Sequence, residues 1–234
     1  MTERGGSWGE VHSLAGEFDE ATAVPFEGLL ARHDVLRPMS GAIVAAFHLL
    51  ISAFECGHKV LVCGNGGSAA DSAHIVGELM KGMTKRRSLA PADIGALQRL
   101  EHREMADYLL KHLEGALPAI DLSSQSALLA AIGNDTAGDM GFAQQVQGYG
   151  QPGDVLWALS TSGRSRNVLL AAEVARAKRL VVLAFTGPTE SPLATIADVA
   201  VRAPGQSVQE IQEVHLSVYH TLCEMVELRV FRQL

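Results

Sequence analysis

Lys59-Val60-Leu61-Val62-Cys63-Gly64-Asn65-Gly66-Gly67-Ser68 is the stretch on which the fold turns. A short, unbroken apolar run closes on a glycine-rich loop, and beyond it the apolar spacing lengthens to that of a helix. Such a run reads as a parallel strand buried on both faces. The pattern returns at 154–159, 180–185 and 198–201. A weaker candidate is 117–122, where Pro118 must stand at the strand's start or on an edge. Helical periodicity fills the gaps at about 68–83, 125–132, 165–178, 190–197 and 207–232. Strands alternating with helices imply βαβ units, a parallel sheet and right-handed crossovers. The expected class is α/β.

Upstream, residues 1–24 are rich in Gly, Glu and Ser and read as a flexible arm. From Pro25 the apolar residues fall three and four apart (Phe26, Leu29, Leu30, then Ile43, Val44, Phe47, Leu50, Ile51), which predicts helix. Pro38 marks a kink or a junction between two helices. Residues 84–116 do not fit the scheme. Ala96–Ala116 reads as one amphipathic helix within an insertion, either a lid or an interface element, and Lys85-Arg86-Arg87 before it reads as a solvated loop. The expected organisation is an arm at 1–24 and one domain at 25–234 carrying a helical insertion at about 84–116.

Of 234 residues, 47% are hydrophobic, enough for a substantial core without staples. Nineteen Lys and Arg against 26 Asp and Glu give a net charge of −7. That balance argues against nucleic-acid binding, which needs surplus cations. Three cysteines with no CxxC pair indicate neither a disulfide framework nor a thiolate zinc site. No secretory signal pattern is visible. The apolar run Gly41–Phe54 falls short of the roughly 20 residues of a membrane span. A soluble, cytoplasmic protein with no membrane partner is expected.

In an open parallel sheet, ligands bind beyond the carboxyl ends of the strands. Two loops there stand out: Gly64-Asn65-Gly66-Gly67-Ser68 and Ser160-Thr161-Ser162-Gly163-Arg164-Ser165. Each runs straight into a helix, whose free N–H groups favour an anion. Four hydroxyls in the second loop suit a phosphate, whereas a simple helix N-cap by Ser162 or Ser165 would need only one. Gly64-x-Gly66-x-x-Ala69 also matches a relaxed dinucleotide fingerprint. No acid-ending strand follows it at the required distance, so no nucleotide cofactor is expected.

His74 and Glu78 stand i, i+4 on the first of these helices and share a face. Imidazole and carboxylate are suitable metal ligands and also a usual acid–base pair. The C-terminal helix carries Gln212, Glu213, His215 and His220. Gln212 and His220 are eight residues apart, about 12 Å along a straight helix, a long reach for one metal. Either Gln212 precedes the regular helix or one side chain serves a site on another subunit.

Together CGNGGSAADSAH..GEL (63–79), GND (133–135), GDVLWALSTSGRSRNV (153–168) and VQEIQEVHLSVYHTLCEMVE (208–227) resemble the sugar isomerase (SIS) domain proteins. Within them the chain is most similar to the phosphoheptose isomerases, which convert sedoheptulose 7-phosphate to a glycero-manno-heptose 7-phosphate. The resemblance implies a three-layer α/β/α fold with a five-stranded parallel sheet, and homotetramers with active sites between subunits. It implies sugar-phosphate contacts from Asn65, Gly66, Gly67, Ser68, Asn134, Asp135 and Gln212, and a phosphate cradle from Ser160, Thr161, Ser162 and Ser165. His74, Glu78, Gln212 and His220 match zinc-binding positions, and Glu78 and His220 match residues assigned to proton transfer through an enediol. The family loop usually reads STSGNS; Arg164 departs from it, and Arg166 follows. Two alternatives keep the same fold: an isomerase of another sugar phosphate, and a non-catalytic SIS binding or regulatory tetramer.

Overall fold

A computed structural model of the chain describes residues 18–231. Its centre is a sheet of five parallel strands, β1 (Val60–Cys63), β2 (Ala119–Asp121), β3 (Val155–Ser160), β4 (Val181–Thr186) and β5 (Val199–Arg202), in the order β2-β1-β3-β4-β5. Each expected strand is present within a residue or two. β2 is one of the two edge strands and starts directly after Pro118, whose carbonyl accepts from Val60 N–H at 2.9 Å. Proline is thus spared a ladder donor it lacks.

Alternation along the strands divides the core between two faces. Val60, Val62, Val155, Trp157, Leu159, Leu183 and Phe185 enter the larger cluster. It is covered by α1 (Glu20–Arg32), α2 (Ser40–Glu55), α3 (Gly67–Met80) and α10 (Val208–Val230). Leu61, Cys63, Leu156, Ala158, Val182 and Ala184 point the other way. On that face stand α7 (Gly141–Tyr149), α8 (Arg166–Ala177) and α9 (Pro192–Ile196). The result is the three-layer α/β/α arrangement.

Several segments differ from the sequence expectation. Helix α1 begins at Glu20 rather than Pro25, because Asp19 caps it by accepting from Thr22 N–H at 2.9 Å. The arm assigned to 1–24 therefore contributes residues 20–24 to a helix, while 1–17 lie outside the described residues. Pro38 lies in a 3-10 turn, Asp34–Met39, that joins α1 to α2. That turn and α2 form a stretch of 22 residues, Asp34–Glu55, longer than the Gly41–Phe54 run; its most apolar 18-residue window has a mean hydropathy of 1.5. Here Ile43, Val44, Phe47, Leu50 and Ile51 spend that apolarity on the larger core cluster. Helix α7 lies outside the helical segments expected from the sequence; its buried face sets the polar Gln145 beside Phe142 and Val146. The Gln145 amide is buried and donates to the Leu122 carbonyl at 2.8 Å.

The insertion is two helices, not one: α4 (Pro91–Gln98) and α5 (Arg103–His112). Leu100 N–H turns back to the Leu97 carbonyl and closes α4. No residue of α4 is buried and only Ala106 of α5 is, so little packing is available to hold a longer helix. Arg87 also overturns the solvated-loop reading of Lys85-Arg86-Arg87. Its side chain is wholly buried against the equally buried Glu227, 2.7 Å away. Glu227 additionally accepts from Met83 N–H and Thr84 N–H, at 2.8 and 2.9 Å. Arg87 also donates to the carbonyls of Leu79 (2.5 Å) and Glu78 (2.7 Å), where a cation complements the end of a helix. The root of the insertion is thereby clamped between α3 and α10.

Candidate active site

The sheet order reverses between β1 and β3: the chain leaves β1 for β2 on one side and returns with β3 on the other. Crevices in open α/β sheets form at such a point. The two singled-out loops are the continuations of these two strands. Asn65 and Asn167 join them by a reciprocal amide pair, each Nδ2 donating to the other's Oδ1 at 2.8 Å. Helix α3 follows Gly66, and α8 follows Ser165, and neither N-terminus has a side-chain cap bond. The N-cap alternative for Ser162 and Ser165 is therefore not realised. Ser165 Oγ instead faces Ser160 Oγ at 3.0 Å, and Ser162 Oγ accepts from Arg164 N–H at 3.2 Å. Thr161 is half-buried, Ser162 exposed and Ser68 buried. Helix N-termini and clustered hydroxyls at the carboxyl ends of β1 and β3 suit a phosphate.

Gly163 makes the turn possible. Its φ is +61°, and a Cβ there would run into Ser191. The two arginines do not join the hydroxyl cluster: Arg164 Nη2 donates to the Glu190 carbonyl at 3.1 Å, and Arg166 Nε pairs with Asp139 at 2.5 Å.

Beside the loops, α3 and α10 lie together and bring a second group of side chains into contact. His74 Nε2 is 3.2 Å from Glu78 Oε1 and 3.3 Å from His220 Nε2. One donor atom from each of the three lies within 4.8 Å of the others. Two imidazole nitrogens and a carboxylate oxygen converging in this way make a possible metal site. Their exposure differs: the His74 side chain is 43% exposed and Glu78 16%. Burial, and then the neighbouring His74, push the His220 pKa down, with Glu78 opposing. A neutral imidazole is the form that binds a metal or accepts a proton.

Gln212 sits on a different level. It lies inside α10, which begins at Val208, so it does not precede the regular helix. Its amide packs on Gly67; a Cβ on that glycine would stand 2.8 Å from Gln212 Oε1 and closer still to Nε2. His74 is seven residues further along α3, about 10 Å on. Within one chain, Gln212 thus joins the glycine loop after β1, apart from the His74-Glu78-His220 group. Asn134 and Asp135 end helix α6 (Ser126–Asp135), both exposed, and Asn134 Nδ2 donates to Asp135 Oδ1 at 2.7 Å. Among the described residues, no hydrogen bond ties them to either loop.

Sequence reasoning passed over Asp71, Asn167 and Tyr219. Asp71 precedes His74 by three residues and Tyr219 adjoins His220, and those positions were the available signal. His215 proves to be a core residue: fully buried, it holds the Thr186 carbonyl through Nε2 at 3.1 Å.

A SIS domain family model matches residues 30–111 and 110–187. The chain belongs to the SIS domain family. The phosphoheptose isomerase of Synechocystis sp. is 38% identical over 193 residues, 82% of this chain and 86% of that relative. Two solved structures are similar over most of their length. The phosphoheptose isomerase of Francisella tularensis has a TM-score of 0.64 at 31% identity, covering 80% of this chain and 85% of that one. That of Neisseria gonorrhoeae has a TM-score of 0.64 at 28% identity, covering 92% and 97%. The two matched segments meet at residues 110–111, within α5 of the insertion.

Proposed function

We propose that the chain is a cytoplasmic phosphoheptose isomerase that interconverts sedoheptulose 7-phosphate and D-glycero-D-manno-heptose 7-phosphate. The observation that carries this reading is the placement of His74, Glu78 and His220 beside two uncapped phosphate loops, in a chain whose relatives bear that name. The N-termini of α3 and α8, with Ser160, Thr161, Ser162 and Ser165, bind the phosphate. Asn65, Gly66, Gly67, Ser68 and Gln212 orient the sugar beside it. Asn134 and Asp135 contact substrate from the end of α6.

The reaction moves one proton from C1 to C2 and another from O1 to O2, and so shifts the carbonyl from C2 to C1. Glu78 takes a proton from C1 of the ketose, next to the C2 carbonyl, and the electron pair forms the C1=C2 bond of an enediol. His220 passes a proton between the two oxygens, so that O2 ends as a hydroxyl and O1 as a carbonyl. Glu78 then returns a proton to C2. A carboxylate shielded from bulk water and an imidazole held neutral are suited to these roles.

The donor set fits a borderline-soft divalent cation, and zinc is the ion proposed. His74, Glu78 and His220 would hold it; when bound it would polarise the carbonyl as a Lewis acid. The assembly proposed is a homotetramer with active sites between subunits. The level difference between Gln212 and His74 supports it, because a second copy can supply the missing ligand.

Purified protein mixed with sedoheptulose 7-phosphate and followed by NMR tests the reading. Formation of the aldose phosphate is the expected result. Turnover of a hexose or amino-sugar phosphate alone would move the substrate assignment, and no turnover of any of them, with or without zinc, would overturn it.

A further inference from the structure

Resting on the metal-centre reading above, one relation in the site goes further. Tyr219 is wholly buried on α10, yet its hydroxyl lies 3.2 Å from Asp71 Oδ1 and 3.0 Å from His74 Nδ1. Asp71 and His74 are one turn apart on α3, so the phenol bridges two residues of one helix face from the helix opposite. The rings of Tyr219 and His74 meet edge to face, with centroids 5.6 Å apart at 73°.

A phenol has one proton to give, and two neighbours that can take it. An ionised Asp71 only accepts. With the Tyr219 O–H donating to Asp71, the phenol oxygen presents a lone pair to His74 Nδ1, which must then carry the ring hydrogen. The lone pair of the neutral imidazole is left on Nε2, the nitrogen that faces Glu78 and His220 at 3.2 and 3.3 Å. Bare, that lone pair meets a carboxylate oxygen, an unfavourable contact that a cation between them relieves. In the opposite tautomer Nε2–H donates to Glu78 and the nitrogen cannot bind a metal.

We propose that Asp71 and Tyr219 are positioning residues that hold His74 in the Nδ1–H tautomer and so prepare its Nε2 to ligate a divalent cation. Groups that hydrogen-bond the far nitrogen of a ligating histidine typically change metal affinity by about 10- to 100-fold when removed. Tyr219→Phe keeps the buried ring and deletes only the bridge; Asp71→Asn keeps the size and turns one acceptor into a donor.

The test titrates Co²⁺ into metal-free wild type, Tyr219→Phe and Asp71→Asn, following the visible absorption of the ion. A parallel ¹H–¹⁵N correlation reads the His74 tautomer in the zinc-loaded wild type. The expected result is a Kd raised about 10- to 100-fold in both variants, unchanged melting of the metal-free proteins, and a proton on Nδ1. Wild-type Co²⁺ affinity in Tyr219→Phe, or a proton on Nε2 with zinc bound, overturns the proposal alone. No Co²⁺ binding by wild type removes it together with the metal-centre reading.

Discussion

Arg87 and Glu227 meet 2.7 Å apart with both side chains closed to solvent. They stand 140 residues apart in sequence, and the guanidinium also reaches the carbonyls of Glu78 and Leu79. The pair therefore joins the end of α3, which carries Glu78, to the helix that carries His220.

Breaking such a pair from one side leaves a buried charge without a partner, which typically costs about 3–5 kcal/mol. Arg87→Ala or Glu227→Ala should lower stability by about that amount, on the order of 10 °C in Tm for a chain of this size. Replacing both by apolar residues of similar volume should cost markedly less. Urea unfolding of the two single variants and the double variant measures this. Equal losses in all three would mean that the charges are not what matters there.

The loop after β3 separates stability from binding. Because α8 has no side-chain cap bond, Ser165→Ala should change stability by less than about 0.5 kcal/mol, where a true N-cap would lose about 1 kcal/mol. Ser165→Ala and Ser162→Ala should each raise KM for the sugar phosphate with little change in kcat. A Ser165→Ala variant that melts early and keeps its KM would restore the capping role.

β1, β3 and β4 were legible because they are buried on both faces along almost their whole length, leaving uninterrupted apolar runs. The loops after β1 and β3 were legible because glycine and hydroxyl clusters there have no need in a plain turn. His74 with Glu78 was legible as an i, i+4 pair. What escaped depends on distant partners. Arg87 sits in a basic run, and nothing local shows that Glu227 neutralises it. Gln145 reads as a surface residue until the Leu122 carbonyl supplies its partner. The Tyr219 contacts join α10 to α3 across more than half the chain, and no local spacing reveals them. The insertion reads as one helix by its pattern, but it divides where packing gives no support.

His215 predicts an acid sensitivity. Burial lowers its pKa from 6.5 to about 4, against the opposing hydrogen bond to Thr186. An unfolded chain takes up the proton near pH 6.5, while the folded chain refuses it until about pH 4. Between those values the unfolded state binds more protons, so stability falls as pH drops through the window and is unaffected above it. The full loss from this one group is about 3 kcal/mol. Stability measured from pH 7.5 to pH 4 in wild type and His215→Gln should show a steeper fall in wild type. Parallel curves would remove His215 as the cause.

Proton transfer at Glu78 is the central claim, and ¹H NMR of the reaction in D₂O tests it most directly. With wild type, the aldose phosphate formed from sedoheptulose 7-phosphate should carry deuterium at C2, delivered by a base that exchanges with solvent. Glu78→Gln should form no product and wash no deuterium into C1 of the ketose, while still binding the sugar phosphate. Deuterium incorporation by Glu78→Gln at the wild-type rate would contradict the account.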